Sequence, residues 1–143
     1  TDMMENLVES YQMRIDLHAE IEEDVEIVGD RFILRISMNN LLENAIKYGN
    51  DLPIEVTLKT EKDKAVIKVV DQGIGIAESE RRKIFKKFYR VEDEEVRDSK
   101  GTGLGLFIVK ETIEKHNGSI RIKSNEPQGT IFLVELPLDR KNE

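Results

Sequence analysis

The chain contains no cysteine, which excludes a disulfide framework, a thiolate metal site and a thiol nucleophile. Histidine occurs only twice, as His18 and His116, so no imidazole cluster is available for zinc. No apolar run approaches the ~20 residues of a membrane span, and no signal peptide is legible, so a soluble piece is expected. Basic residues are in deficit: 22 Lys and Arg stand against 29 Asp and Glu, a net charge of −7. That balance argues against a nucleic-acid scaffold or an anionic membrane surface as partner. Any polyanionic ligand must therefore be met by a local basic cluster. There is no internal repeat and no low-complexity tract.

What the chain does have is enough apolar residue for one core. Its 143 residues, 38% hydrophobic and 36% charged, match a single domain with a densely charged surface. Met3, Met4, Leu7, Val8, Tyr11 and Ile15 recur at helical spacing and predict an amphipathic helix over the first dozen residues. Residues 1–13 are expected to be the end of an upstream linker helix. Ile15, Leu17, Ala19 and Ile21 alternate with polar residues, as in a half-buried strand. Asp30 is placed to cap a helix that buries Leu34, Met38, Leu41, Leu42 and Ala45 and ends near Tyr48-Gly49-Asn50. Ile54, Val56 and Leu58 alternate with polar residues, and a polar turn at 61–64 leads into Ala65 to Val70, predicting a hairpin whose second, more continuously apolar strand is central. A short helical stretch is expected near Glu78 to Phe85, then a charged mobile loop from Arg90 to Lys100. A helix from about Gly103 to His116 ends at Asn117-Gly118, and strands near Ile120 and from Thr130 to Leu136 follow. The order predicts an α+β fold, a two-layer α/β sandwich with a mixed, largely antiparallel sheet covered on one face by helices.

Four segments carry chemistry. In Asn40-Leu-Leu-Glu-Asn44-Ala-Ile-Lys47-Tyr48, the positions 40, 44 and 47 or 48 fall on one helix face. A carboxamide oxygen there can ligate Mg²⁺, while amide N–H groups and the Lys47 ammonium meet phosphate oxygens. A wet helix face that happens to carry asparagines would look the same. Asp71 ends an apolar strand and is followed by Gly73 and Gly75. A carboxylate at that place can accept a hydrogen bond from the exocyclic amine of adenine, where guanine presents an acceptor instead. The glycines allow close approach of the backbone and positive φ, although an ordinary Asp-x-Gly turn shares the pattern. Phe85 and Phe88 bracket the charged loop as apolar anchors. Gly101, Gly103 and Gly105 precede a helix, whose free N–H groups favour a phosphate tail. A dinucleotide fold would want a strand directly upstream of those glycines, where this chain has the charged loop.

Taken in order, these segments resemble the asparagine box, first glycine box, phenylalanine box and second glycine box of sensor histidine kinases. The resemblance extends from about Asp30 to about Leu136. It implies the catalytic ATP-binding domain of a two-component kinase, with the Bergerat fold shared by gyrase, Hsp90 and MutL, and ATP with Mg²⁺ as ligands. On that resemblance, Asn44 binds metal and phosphate with Asn40 beside it, and Asn40, Asn44 and Lys47 form the catalytic set. Asp71 reads adenine, with Thr130 as a second polar neighbour. Tyr48, Gly73, Gly75, Ile76, Phe88, Thr102, Leu104, Leu106 and the glycines 101, 103 and 105 complete the nucleotide contacts. Residues 89–102 form the ATP lid, with Arg90 and Lys100 as preferred phosphate contacts among Lys87, Arg90, Arg97 and Lys100; Arg97 reads as a solvated charge. Neither His18 nor His116 has the following acidic residue and helical context of a phosphoacceptor. The implied partners are therefore a histidine-bearing dimerisation domain of the same kinase and a response regulator, with no nucleic acid and no membrane contact. A cytoplasmic location follows, including the cytoplasmic portion of a membrane-anchored sensor.

The rival readings are a hydrolytic ATPase of the gyrase, Hsp90 or MutL type, a serine kinase of the same fold that regulates a sigma factor, and a non-catalytic module. The hydrolytic relatives carry a water-activating glutamate one turn before the metal-binding asparagine. Here that place is Asn40, and Glu43 points about 100° away from Asn44.

Overall fold

Apolar residues three and four positions apart drive the first helix, α1 (Asp2–Gln12), whose Met4, Leu7, Val8 and Tyr11 are all buried. This computed structural model describes residues 1–143 apart from 50, 51, 74, 78, 80, 82, 87–104, 126, 127 and 140–143. After α1 come β1 (Leu17–Ile21), α2 (Arg31–Tyr48), β2 (Ile54–Glu61), β3 (Lys64–Asp71), a 3₁₀ turn (Lys83–Phe85), α3 (Gly105–Lys115), β4 (Ser119–Ser124) and β5 (Thr130–Pro137). The expected start of the last helix at Gly103, and the segment from Arg90 to Lys100, lie outside the described residues.

The five strands form one sheet in the order β1-β2-β3-β5-β4. Only β1 and β2 run parallel; the other pairs are antiparallel. The apolar β3 is the middle strand, as its near-continuous hydrophobicity predicts. Register aligns one face across the sheet: Val56 pairs with Val69, which pairs with Phe132, and Leu58 with Ile67, which pairs with Val134. These residues are buried and form the core with Leu34, Met38, Leu41, Leu42 and Ala45 of α2 and Val109 and Ile113 of α3. The opposite face carries charge, where Glu135 bridges Lys64 at 3.2 Å and Arg121 at 2.8 Å. One strand departs from its pattern. In β1 only Leu17 is fully buried and Ala19 is exposed, because this edge strand lies at the margin of the helix layer, while Ile15 belongs to the turn after α1.

Helix ends follow local chemistry. The Asp30 carboxylate accepts the N–H groups of Phe32 at 2.9 Å and Ile33 at 3.3 Å, the expected N-cap of α2. At the end of α3, Asn117 takes the left-handed conformation at φ 63. Its N–H donates to the Glu114 carbonyl and that of Gly118 to the Ile113 carbonyl, the paired bonds of a Schellman motif. Helix α1 is tied to α2 by a polar cluster. The Tyr11 hydroxyl meets Glu43 Oε1 at 2.8 Å and the Asn39 carboxamide, and Arg14 Nη1 donates to the same Glu43 oxygen at 3.0 Å. A phenol has one proton, and here it faces two acceptors, Asn39 Oδ1 and Glu43 Oε1. Burial, then the hydrogen bond to Glu43, pushes the Tyr11 phenol well above its ordinary range. No helix among the described residues is long and apolar enough to cross a membrane.

Candidate functional site

The C-terminal half of α2 places Asn40, Asn44, Lys47 and Tyr48 half-buried along one face, as helical spacing requires. The carboxamides of Asn40 and Asn44 make no hydrogen bond among the described residues. Two half-buried amides left open in this way are suited to an incoming ligand. Lys47 Nζ lies 5.4 Å from the centroid of the Tyr48 ring, which holds the ammonium at the end of the same helix. Glu43 is turned away and engaged with Tyr11 and Arg14.

Helix α3 reaches this face at its first described residue. A β-carbon placed on Gly105 would stand 3.7 Å from both Cγ and Oδ1 of Asn40, so the helix backbone abuts that amide. Leu106 packs half-buried against the core. Phe85 is buried on the 3₁₀ turn under the Lys110 ammonium, 5.6 Å from the ring centroid, and so is the anchor expected before the charged segment.

Asp71 closes the site from the sheet side. It is 2% exposed at the end of β3, directly opposite Thr130, which is 3% exposed at the start of β5. Its Oδ1 accepts the Gly73 N–H at 2.9 Å and the Thr130 N–H at 3.2 Å. Oδ2 takes no hydrogen bond among the described residues. Burial raises the carboxyl above its usual range, and the two main-chain donors oppose the rise. A buried carboxylate with one oxygen committed and one open is a directional acceptor. The adenine amine is the type of donor it suits.

The two freedoms expected of the glycines, close approach and positive φ, are divided between Gly73 and Gly75. Only Gly75 is in the left-handed region, at φ 76. Gly73 is required for space: a β-carbon there would come within 1.6 Å of the Tyr48 carbonyl oxygen, so the loop lies flush on the end of α2. Ile76 follows, partly buried, and its carbonyl accepts from Arg81 Nε at 3.4 Å while Arg81 also binds the Ser124 hydroxyl.

Three supports were not singled out in the sequence. Asn125 Nδ2 donates to the Asp71 carbonyl at 3.0 Å. Gly129, at φ 119, leaves room for that same carbonyl where a β-carbon would intrude to 2.0 Å. Arg81 holds Ile76. Nothing local in the sequence marks which strand end Asn125 and Gly129 serve. Phe88, Arg90, Lys100, Gly101, Thr102, Gly103 and Leu104, with Lys87 and Arg97, lie outside the described residues.

An α+β sandwich with an open asparagine face, a buried carboxylate and a glycine loop between them defines a nucleotide-binding ATPase domain. The chain belongs to the family of histidine kinase-, DNA gyrase B- and HSP90-like ATPases, which matches residues 29–140. Membership of this ATPase family implies that the chain binds ATP. Among curated relatives, the chain is 39% identical over 134 residues to the sensor protein RprX of Bacteroides fragilis, covering 92% of this chain and 26% of that protein. It is 34% identical over 125 residues to the sensor-like histidine kinase SenX3 of Mycolicibacterium smegmatis, covering 87% and 33%. The chain thus spans a third or less of the length of these relatives. Among solved structures, the catalytic domain of histidine kinase ThkA superposes with a TM-score of 0.82 at 28% identity, covering 95% of this chain and 90% of that one. The mycobacterial sensor histidine kinase MprB gives 0.78 at 29%, covering 96% and 93%.

Proposed function

We propose that this chain is the catalytic domain of a sensor histidine kinase, and that it presents the γ-phosphate of ATP to a histidine on a separate dimerisation domain of the same kinase. In that transfer an imidazole nitrogen attacks the γ-phosphorus, the bond to the β–γ bridging oxygen breaks, ADP leaves, and the imidazole N–H proton passes to solvent. Phosphoryl transfer asks the protein mainly for positioning and charge neutralisation. Asp71 Oδ2 accepts the adenine amine, with Thr130 beside it. The open amides of Asn40 and Asn44 and the Lys47 ammonium face the phosphates. Asn44, with Asn40 adjacent, would hold Mg²⁺, which would offset the negative charge of the phosphates. On sequence grounds, Phe88, Arg90, Lys100, Gly101, Thr102, Gly103 and Leu104 belong to the lid and phosphate loop of the same site. A response regulator is the downstream partner of the whole kinase.

The observation that carries this reading over hydrolysis is what α2 presents to the site. The position of a water-activating carboxylate is the neutral Asn40, and the one carboxylate of α2, Glu43, is engaged by Tyr11 and Arg14 on another side of the helix. Incubation with γ-labelled ATP and Mg²⁺ tests it. The chain alone should bind ATP and stay unlabelled, and the histidine-bearing segment of its parent kinase, added in trans, should acquire acid-labile phosphate. Stable label on His18 or His116, or fast phosphate release from the chain alone, would count against it.

A further inference from the structure

His116 lies at the far end of α3 from the nucleotide site, yet it is held more specifically than a helix-capping charge requires. Its Nδ1 is 2.7 Å from the Thr112 carbonyl oxygen, which can only accept, so Nδ1 carries the proton. Its Nε2 is 3.2 Å from the Asp30 backbone nitrogen, which can only donate, so Nε2 offers its lone pair. The two partners together define a neutral imidazole of one tautomer, in place of the cation expected at a helix C-terminus. The ring fits because the residue before Asp30 is glycine. A β-carbon on Gly29 would lie 2.3 Å from His116 Cδ2 and 2.6 Å from Nε2. The contact joins the C-terminal end of α3 to the N-terminal cap of α2, whose Asp30 carboxylate is already engaged with Phe32 and Ile33.

The other end of the same helix pair is the nucleotide site, where Gly105 abuts Asn40. The two helices therefore run antiparallel, in contact at 105 with 40 and at 116 with 29 and 30. We propose that His116, as the neutral imidazole protonated on Nδ1, is a positioning residue that clips α3 to the cap of α2 and so sets where Gly105 stands against Asn40. For its consequence on nucleotide binding, this role rests on the ATP reading above. The leverage is simple. Eleven residues of α3 make a rod about 16 Å long, so a tilt of about 4° at the His116 end displaces the Gly105 end by about 1 Å. Misplacement on that scale matters for groups that must meet a phosphate. Asp71 stands on the sheet and is not on this lever, so the clip should affect the phosphate end of the ligand more than the base.

The test compares the full chain with His116→Leu, which removes both ring contacts, and His116→Gln, which retains an acceptor. In the parent chain, ring ¹⁵N shifts should show Nδ1 protonated and Nε2 bare in the folded state. In His116→Leu, exchange of the Asp30 amide should accelerate about tenfold. Affinity for Mg·ATP should fall about three- to tenfold, the worth of one neutral hydrogen bond. Adenosine affinity should hold, and His116→Gln should recover most of the loss. A ring protonated on Nε2, or a folded leucine variant with unchanged Asp30 exchange and Mg·ATP affinity, overturns the proposal, as does a glutamine variant no better than leucine. If the leucine variant does not fold, the ring-nitrogen shifts and the glutamine variant decide. A parent chain that binds no Mg·ATP overturns the nucleotide reading instead, and the ring shifts and amide exchange still decide the clip.

Discussion

Asp71 and Thr130 stand opposite each other in the β3–β5 ladder, and the N–H of Thr130 donates across it to Asp71 Oδ1 at 3.2 Å. The carboxylate is thereby held by the sheet itself, with Gly73 as its second donor at 2.9 Å. Fixing one oxygen with main-chain donors aims the other into the site.

Asp71→Ala should cost roughly 1.5–3 kcal/mol of nucleotide binding, the worth of a hydrogen bond to a charged group, or about ten- to a hundredfold in affinity. Asp71→Asn separates charge from shape. Its carboxamide oxygen can still accept from Gly73 and Thr130, but its NH₂ meets the adenine amine donor to donor. Calorimetry should therefore show ATP binding weakened in both variants. If ATP affinity is unchanged in either folded variant, Asp71 is only a turn residue.

The same pair predicts a pH effect on stability. Burial raises the Asp71 carboxyl in the folded state above its ordinary value. Between those two values the folded chain holds a proton that the unfolded chain has lost, so this group's contribution falls as pH rises through the window and is flat above it. In Asp71→Asn that part of the slope should vanish, and the variant should be no less stable than the parent at neutral pH. Urea denaturation across acid pH measures both; stability that rises less steeply with pH in the variant than in the parent would reverse the assignment.

Tyr11→Phe should loosen α1 from α2 by about 1 kcal/mol, because it removes one hydrogen bond to a partly exposed carboxylate that Arg14 still satisfies. Burial and Glu43 keep the Tyr11 phenol from ionising in the ordinary tyrosine range. The phenolate absorbance gained near pH 10 should thus be the same in parent and variant. A loss of one tyrosine equivalent there would show that the phenol is not held as described.

Gly73→Ala drives a methyl group into the Tyr48 carbonyl. Overpacking against main chain should cost about 1–3 kcal/mol of stability and weaken ATP binding in the surviving fold, since the loop and the end of α2 must separate. Wild-type melting together with wild-type affinity would mean that the loop yields without penalty.

Asn40→Glu places a proton acceptor one turn from Asn44 and beside Gly105. The variant should gain slow ATP hydrolysis at saturating ATP. General-base assistance is worth ~10²–10⁴-fold when well positioned, but repulsion between a carboxylate and phosphates offsets part of it. Phosphate release no faster than in the parent, with ATP demonstrably bound, would place the barrier to hydrolysis elsewhere than residue 40.

Everything that depends on chemical neighbours along the chain was determined by the sequence alone. Helical spacing puts Asn40, Asn44 and Lys47 on one face; Asp30 caps its own helix; alternation identifies β2, and continuous apolarity marks β3 as central. Short-range periodicity and capping are written in adjacent residues, so these elements and the order of the four segments were legible. The orientation and occupancy of the polar groups were decided only by the tertiary structure. Pairing of β3 with β5 delivers Thr130 to Asp71 from 59 residues away, and the fold brings His116 to Asp30 from 86 away. Neither meeting leaves a local signature, because a backbone N–H is the same donor in every residue and its acceptor is chosen by strand order and helix packing. The same holds for Gly73, whose spacing suggests a flexible turn, and for Glu43, whose helical position leaves its partner open. In the fold the first is a point of close approach to α2, and the second is the carboxylate that fastens α1.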